Sequence, residues 1–197
     1  MISMFIDTSL SDVSIALLKN GKLLSLIHDN IPGEHSIYVS KYIEDILTEN
    51  NILPKDVNEI IVVNGPGSFT GIRIGVTIAK IFAYLSNIRI VTITSLKARV
   101  IGVKGDYLLS IIDAKHNNYY VGLYDKDYNM LKEQFMTKEQ KDSLIEMYNP
   151  IVITEKEDFD IEEIIKYSNQ LESENPHGVN PTYLKLPEAM EKNDKRN

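Results

Sequence analysis

The chain contains no cysteine in 197 residues. That absence removes a disulfide framework, a thiolate metal site and a thiol nucleophile together. Histidine is scarce as well: His28, His35, His116 and His177 are scattered, with no pair at ligand spacing. A basic face is also missing. Acidic residues outnumber basic ones by 28 to 21, the formal charge is −7 and the pI is about 5.1. No Lys/Arg cluster supplies the positive surface that an autonomous nucleic-acid binder carries. The chain enters an apolar strand at once, without a basic segment ahead of an apolar signal core. Its one long apolar helix, about sixteen residues after Gly71, carries Arg73 and Lys80 and reads as too short and too charged to span a bilayer. These absences lead to the expectation of a soluble, cytoplasmic protein that reaches any RNA through a partner. The length suffices to bury a real core, as one compact unit or two small lobes.

What the chain does have is a glycine-rich run, Asn64-Gly65-Pro66-Gly67-Ser68-Phe69-Thr70-Gly71-Ile72-Arg73-Ile74-Gly75. Ahead of it, Ile60-Ile61-Val62-Val63 is short and β-branched, the pattern of a buried strand. Behind it, Ile72, Ile74, Val76, Ile78, Ile81, Phe82 and Leu85 predict an apolar helix over 70–86. The glycines therefore occupy a strand-to-helix corner, where positive φ and close backbone approach are available and Ser68 or Thr70 can cap the helix. Such a corner can also offer amides to an anion. A dinucleotide fingerprint would need a third glycine where Thr70 stands, and a P-loop a Gly-Lys-Ser/Thr ending; neither is present. Ser68 does not sit in a Gly-x-Ser-x-Gly elbow, and no His and Asp are implied beside it. A structural corner and a phosphate cradle both stay open on this pattern.

Two helices carry further signals. Gly71, Gly75, Ala79 and Ala83 recur every four residues, so one stripe of the helix 70–86 is nearly smooth. Another backbone can approach there, from a partner or from within the same lobe. Tyr38 and Tyr42, also four apart, lie beside the core-facing Val39, Ile43, Ile46 and Leu47 of a helix over His35 to Asn50. Aromatics so placed anchor interfaces or close a half-buried edge. The acidic pairs Glu44-Asp45, Glu157-Asp158 and Glu162-Glu163 diverge around their helices and read as solvated faces. His35, after Glu34, reads as a helix start.

Along the chain, residues 2–7 form a strand ending in Asp7. Strands Val13 to Leu18 and Leu23 to Ile27 follow, joined by Lys19-Asn20-Gly21-Lys22, a strong hairpin signal. After the helix from His35 come a strand over 59–64, the helix 70–86, a strand Arg89 to Ile93 and a short helix from Ser95. The second half restarts this pattern. Leu108 to Ile112 ends in Asp113, and Tyr119 to Tyr124 pairs with Met130 to Phe135 across Asp125-Lys126-Asp127. A helix near Lys138 to Tyr148, a strand Ile151 to Thr154 and a helix near Ile161 to Tyr167 complete it. Two copies of strand-Asp-hairpin, 106 residues apart, indicate an internal duplication in an α/β fold with mixed sheets. From Glu172 onward, Ser, Asn, Pro, Gly and charge predict a partly ordered tail with mobile last residues.

The run Gly65 to Gly75 with Ala79-Lys80 resembles the signature of the TsaB (YeaZ) family. Asp7-Thr8-Ser9, Ile112-Asp113-Ala114-Lys115 with Tyr120, and Pro181-x-Tyr183-Leu184-Lys185 match it too, and the resemblance is good to about residue 125. It implies the duplicated two-lobe actin/Hsp70-like (ASKHA, RNase H-like) fold with an abridged second lobe. The lobes would be 1–100 and 101–175, followed by a tail over 176–197. In enzymes of that superfamily, acidic residues at such corners hold Mg²⁺-nucleotide, so Asp7, Thr8, Ser9, Gly67, Ser68 and Asp113 read as a vestigial nucleotide corner. In the catalytic paralogue, TsaD, two histidines one helical turn apart bind a metal. Ser95 and Arg99 stand at those places here, and neither suits that metal.

The resemblance further implies a non-catalytic subunit without a cofactor or metal of its own. It would dimerise with the TsaD-type threonylcarbamoyltransferase, with a TsaE-type ATPase docking at the junction, where ATP or ADP and Mg would bind. tRNA would be met only through that complex. Partner contacts are expected from Tyr38, Tyr42, Gly71, Ile72, Gly75, Ile78, Ala79, Phe82 and Ala83, and the same face can pair with itself in a homodimer. Two alternatives remain. One is a nucleotide-dependent phosphotransferase or ATPase using Asp7 and Asp113, and the other is a stand-alone homodimeric binding module.

Overall fold

The computed structural model describes residues 1–31, 35–155 and 159–185, and leaves out the side chains of His35 and Ser36. The expectations on Glu34, Glu157-Asp158 and the last twelve residues therefore lie outside the described residues, whereas His35 begins a helix as expected.

In the first half, β1 (Ile2–Asp7), β2 (Asp12–Lys19) and β3 (Lys22–Asn30) form an antiparallel meander. The β2–β3 turn at Asn20-Gly21 has positive φ at both residues, as an Asn-Gly hairpin requires. Helix α1 (His35–Glu49) and a 3-10 turn (Pro54–Asp56) lead to β4 (Glu59–Val63). Then come α2 (Phe69–Ser86), β5 (Arg89–Ile93) and α3 (Ser95–Val100). β4 and β5 run parallel to β1, giving the order β3-β2-β1-β4-β5. Every residue of β4 is buried, as expected of a central parallel strand covered on both faces.

The second half repeats the meander in β6 (Tyr107–Asp113), β7 (Asn118–Asp125) and β8 (Met130–Thr137), followed by α4 (Lys138–Tyr148). β9 (Ile151–Thr154) then pairs in parallel with β6, giving the order β8-β7-β6-β9. The second sheet has four strands where the first has five. Helix α5 (Ile161–Ser168) does not stay with this second sheet. Its Ile161, Ile164 and Ile165 pack on Phe5, Ile61 and Val91 of the first, so the physical boundary between lobes crosses the expected 101–175 unit.

The first sheet is thus sandwiched. On one face Met4, Ile6, Ile60 and Val62 meet Val39, Ile43 and Ile46 of α1 and Ile72, Val76 and Ala79 of α2. On the other lie α3 and α5. Leu96 and Val100 of α3 also pack on Leu108, Ile112 and Tyr124, joining the lobes. Across the same seam, Thr94 Oγ1 donates to Glu133 Oε1 at 2.6 Å, and Tyr124 OH donates to the same carboxylate.

Beyond α5, where composition points to a partly ordered tail, residues 174–185 run back along the first lobe. Glu174 N donates to Ile90 O at 2.9 Å, and Thr92 N donates to Glu174 Oε1 at 2.8 Å, which covers the open edge of β5. Arg89 anchors the approach. One terminal nitrogen pairs with buried Glu59, and the other donates to Ser168 O and Leu171 O at 2.6 and 2.7 Å. Val179 is fully buried in the first core, and Thr182 N donates to Asn64 O at 2.7 Å.

Candidate partner face and interlobe cleft

The glycine-rich corner is built around the end of β1. Gly67 has φ +155°, and a Cβ on it would lie 2.0 Å from Ser9 O. Ser68 N donates to that same carbonyl at 2.6 Å. Ser68 Oγ caps α2 by accepting from Gly71 N at 3.2 Å. The corner's glycine and two of its amides therefore serve internal packing, which is the structural-corner reading of the sequence.

Asp7 and Asp113, at the ends of the two duplicated strands, line one cleft of about 1470 Å³ between the lobes, together with Ser68, Gly71 and Arg99. Their surroundings differ. Asp113 is exposed and accepts from Lys115 N at 2.8 Å. Asp7 is 5% exposed and accepts from Ser9 N at 2.7 Å. Burial pushes its carboxyl above the usual aspartate range, against the opposing pull of the Ser9 hydrogen bonds and of Arg99. A desolvated Asp7 carboxylate and a corner with two of its amides already engaged fit a magnesium-bound nucleotide poorly. Among the described residues no group of three or more His, Asp or Glu is arranged to hold a metal.

The small-residue stripe requires a correction. Gly71, Gly75, Ala79 and Ala83 are buried within their own lobe, as is Ile72. A Cβ on Gly71 would stand 2.1 Å from Thr8 O, and one on Gly75 2.2 Å from Thr8 Oγ1. Thr8 Oγ1 in turn donates to Gly71 O at 2.8 Å. The backbone that comes close at Gly71 and Gly75 is β1's own terminus, and all five residues are buried by the chain itself, so they present little surface to a partner.

The opposite flank of α2 is the one left open. Ile74, Ile78, Ile81 and Leu85, spaced i, i+4, i+7 and i+11, share one side. Ile81 is 54% exposed and Leu85 76% exposed, with Phe82 half-buried beside them. On α1, Ile37 is 66% exposed. Tyr38 and Tyr42 are half-buried and stack at 5.6 Å. Tyr42 OH donates to the Asp29 carboxylate, which pushes the phenol up to about 12. At 18 residues α2 is longer than its sequence pattern implied, and by length and apolar composition alone it would qualify as a membrane span. Its Ser68 cap and its buried stripe against Thr8 make it a sheet-covering helix instead.

The family model for TsaD, tRNA N6-adenosine threonylcarbamoyltransferase, matches residues 31–171. A relative named tRNA threonylcarbamoyladenosine biosynthesis protein TsaB, from Bacillus subtilis, is 35% identical over 130 residues, 65% of this chain and 57% of its own length. The Escherichia coli protein of the same name is 30% identical over 128 residues, 63% of this chain and 55% of its own. The chain belongs to the TsaB (YeaZ) family. The match spans little more than half the length of these two relatives. The structure of YeaZ from Pseudomonas aeruginosa shares the fold, with a TM-score of 0.76 at 20% identity over 93% of this chain and 99% of that one. In this TsaB-family chain the fold is thus shared with that YeaZ structure, and its second sheet has four strands where the first has five.

Ser95 and Arg99, the two positions compared with histidines in the sequence, are engaged within the chain. Ser95 is buried and donates through Oγ to Pro66 O. Arg99 is 5% exposed in the cleft wall, its guanidinium 5.4 Å from the Phe159 ring. Sequence reasoning missed Ile37, Ile81 and Leu85 as surface residues. The i, i+4, i+7, i+11 spacing was there to be read, but it also fits a core stripe.

Proposed function

We propose that this TsaB-family chain is a non-catalytic subunit that docks the outer flank of α2 and the adjoining part of α1 onto a TsaD-type threonylcarbamoyltransferase. In that role it supports threonylcarbamoylation of tRNA in the cytoplasm. The single observation that carries the reading is the exposure of Ile81 and Leu85 on α2 and of Ile37 on α1, apolar side chains left outside on helices otherwise packed as core, with half-buried Ile74 and Ile78 continuing the α2 row. Such a row is a site of association rather than an ordinary surface. The names of the relatives and the TsaD family match supply the chemistry of the assembly. Physically the chain acts by selecting the partner's competent state, since binding favours whichever conformation the docked face fits. Contact with tRNA runs through the partner, in keeping with the net charge of −7, and a TsaE-type ATPase docks at the junction.

The test is size exclusion with light scattering of this chain mixed with the TsaD-type protein of the same organism. A heterodimer supports the reading, followed by tRNA modification assays with and without this chain. A homodimer that ignores the paralogue overturns it in favour of a stand-alone module. Tight ATP binding by the isolated chain, lost in Asp7→Ala, overturns it in favour of a phosphotransferase.

A further inference from the structure

Arg73 stands on the flank of α2 next to the apolar row and is exposed, yet it is held in place. Its guanidinium lies 3.8 Å from the Phe69 ring centroid and 5.9 Å from that of Tyr183. The two rings themselves stack at 4.8 Å. Arg73 Nε donates to Tyr183 OH at 2.9 Å. Tyr183 belongs to the returning segment and is fixed by the neighbouring Thr182–Asn64 hydrogen bond. Further along α2, Lys80 Nζ donates to His177 O at 3.4 Å and Tyr84 packs edge-on to His177. The segment thus forms a wall beside the apolar row, with Arg73 at its end.

Three features give this arrangement a purpose beyond packing. Arginine carries five N–H donors in a planar fork; here Nε donates to Tyr183 OH while the residue as a whole remains exposed. Among the described residues no carboxylate pairs with Arg73, in a chain where acids outnumber bases by 28 to 21. Stacking on Phe69 and the Tyr183 hydrogen bond remove rotamer freedom that an arginine would otherwise lose on binding.

We infer that Arg73 is a preset receptor for an acidic side chain of the protein that docks on the α2 row, with Phe69 and Tyr183 as its positioning residues. The inference rests on the docking reading above and adds the partner's chemistry at one point: a carboxylate taken end-on by the two terminal nitrogens of Arg73. It also gives a role to the Pro181-x-Tyr183 motif near the C-terminus, which presents the tyrosine 110 residues away from the arginine it holds.

The experiment is calorimetric titration of the full-length chain with the TsaD-type protein of the same organism, at low and high NaCl. Arg73→Gln is expected to weaken binding about tenfold at low salt and to flatten the salt dependence. Arg73→Lys, which keeps the charge but loses the fork and the stack, falls close to it. Tyr183→Phe keeps the ring, loses the hydrogen bond and gives a smaller loss. Arg73→Glu is rescued by reversing one acidic residue on the partner. Circular dichroism melts of each variant match the wild type. If the complex forms but Arg73→Gln binds with wild-type affinity and salt dependence, the receptor role is overturned while the docking face stands. If the wild-type chain does not bind at all, the docking reading fails and the receptor role falls with it.

Discussion

The two flanks of α2 carry equally regular four-residue spacings and have opposite fates. Gly71, Gly75, Ala79 and Ala83 lie inward, the two glycines against Thr8, whereas Ile74 and Ile78 are half-buried and Ile81 and Leu85 are more than half exposed. Small residues permit close approach, but they do not say whose backbone approaches. Here it is the chain's own β1 terminus, so the smooth flank closes the lobe. The bulky flank is the one with apolar side chains still exposed. A small-residue stripe alone therefore does not mark an interface, because the chain's own backbone can fill it.

The sharpest way to break this comparison is Gly75→Leu. Its Cβ would stand 2.2 Å from the buried Thr8 Oγ1, so the isolated chain is expected to lose about 3 kcal/mol or more of stability. Urea unfolding measures this; a folded monomer of wild-type stability would return the stripe to the surface. On the other flank, Ile81→Arg is expected to change stability by no more than about 0.5 kcal/mol. It should nevertheless weaken association with the TsaD-type protein by ~30-fold or more, read by light scattering. A loss of fold would instead make the outer row part of the core.

A smaller effect concerns the returning segment. Val179→Ala removes two methyl groups from the first core and is expected to cost about 2 kcal/mol in thermal or chemical unfolding. No change would mean that residues 174–185 add nothing to the stability of the lobe they cover.

The smallest effect expected is at Asp7 and depends on pH. Its folded pKa lies above the unfolded value because burial disfavours the charge. The folded state therefore binds the extra proton, and stability falls as pH rises from near 3.8 through the raised folded value. Asp7→Asn should raise the melting temperature by a few degrees at neutral pH and leave it nearly unchanged at acid pH below that window. The same rise at both pH values would place its cause outside ionisation.

Much of the fold was legible because its signals are local. Asn20-Gly21 specifies its hairpin through positive φ, and β4 reads as a central strand because it is apolar throughout. The duplicated strand-Asp corners do meet in space, since Asp7 and Asp113 both line the interlobe cleft. What composition hid was the segment 174–185. Its polar residues are those of a tail, yet Glu174 and Thr182 use their backbone and side-chain groups to pair with β5 and the signature corner.

The sequence by itself determined the elements, their order, the repeat and the corner, because periodicity, turn chemistry and capping act over a few residues. Only the tertiary structure decided which flank of α2 is inside, that α5 crosses to the first sheet, and that Tyr183 holds Arg73. Those outcomes depend on contacts between residues far apart in the chain, 63 positions for Thr8 and Gly71 and 110 for Arg73 and Tyr183. A pattern of spacing defines a face; the packing of the whole chain decides what lies against it.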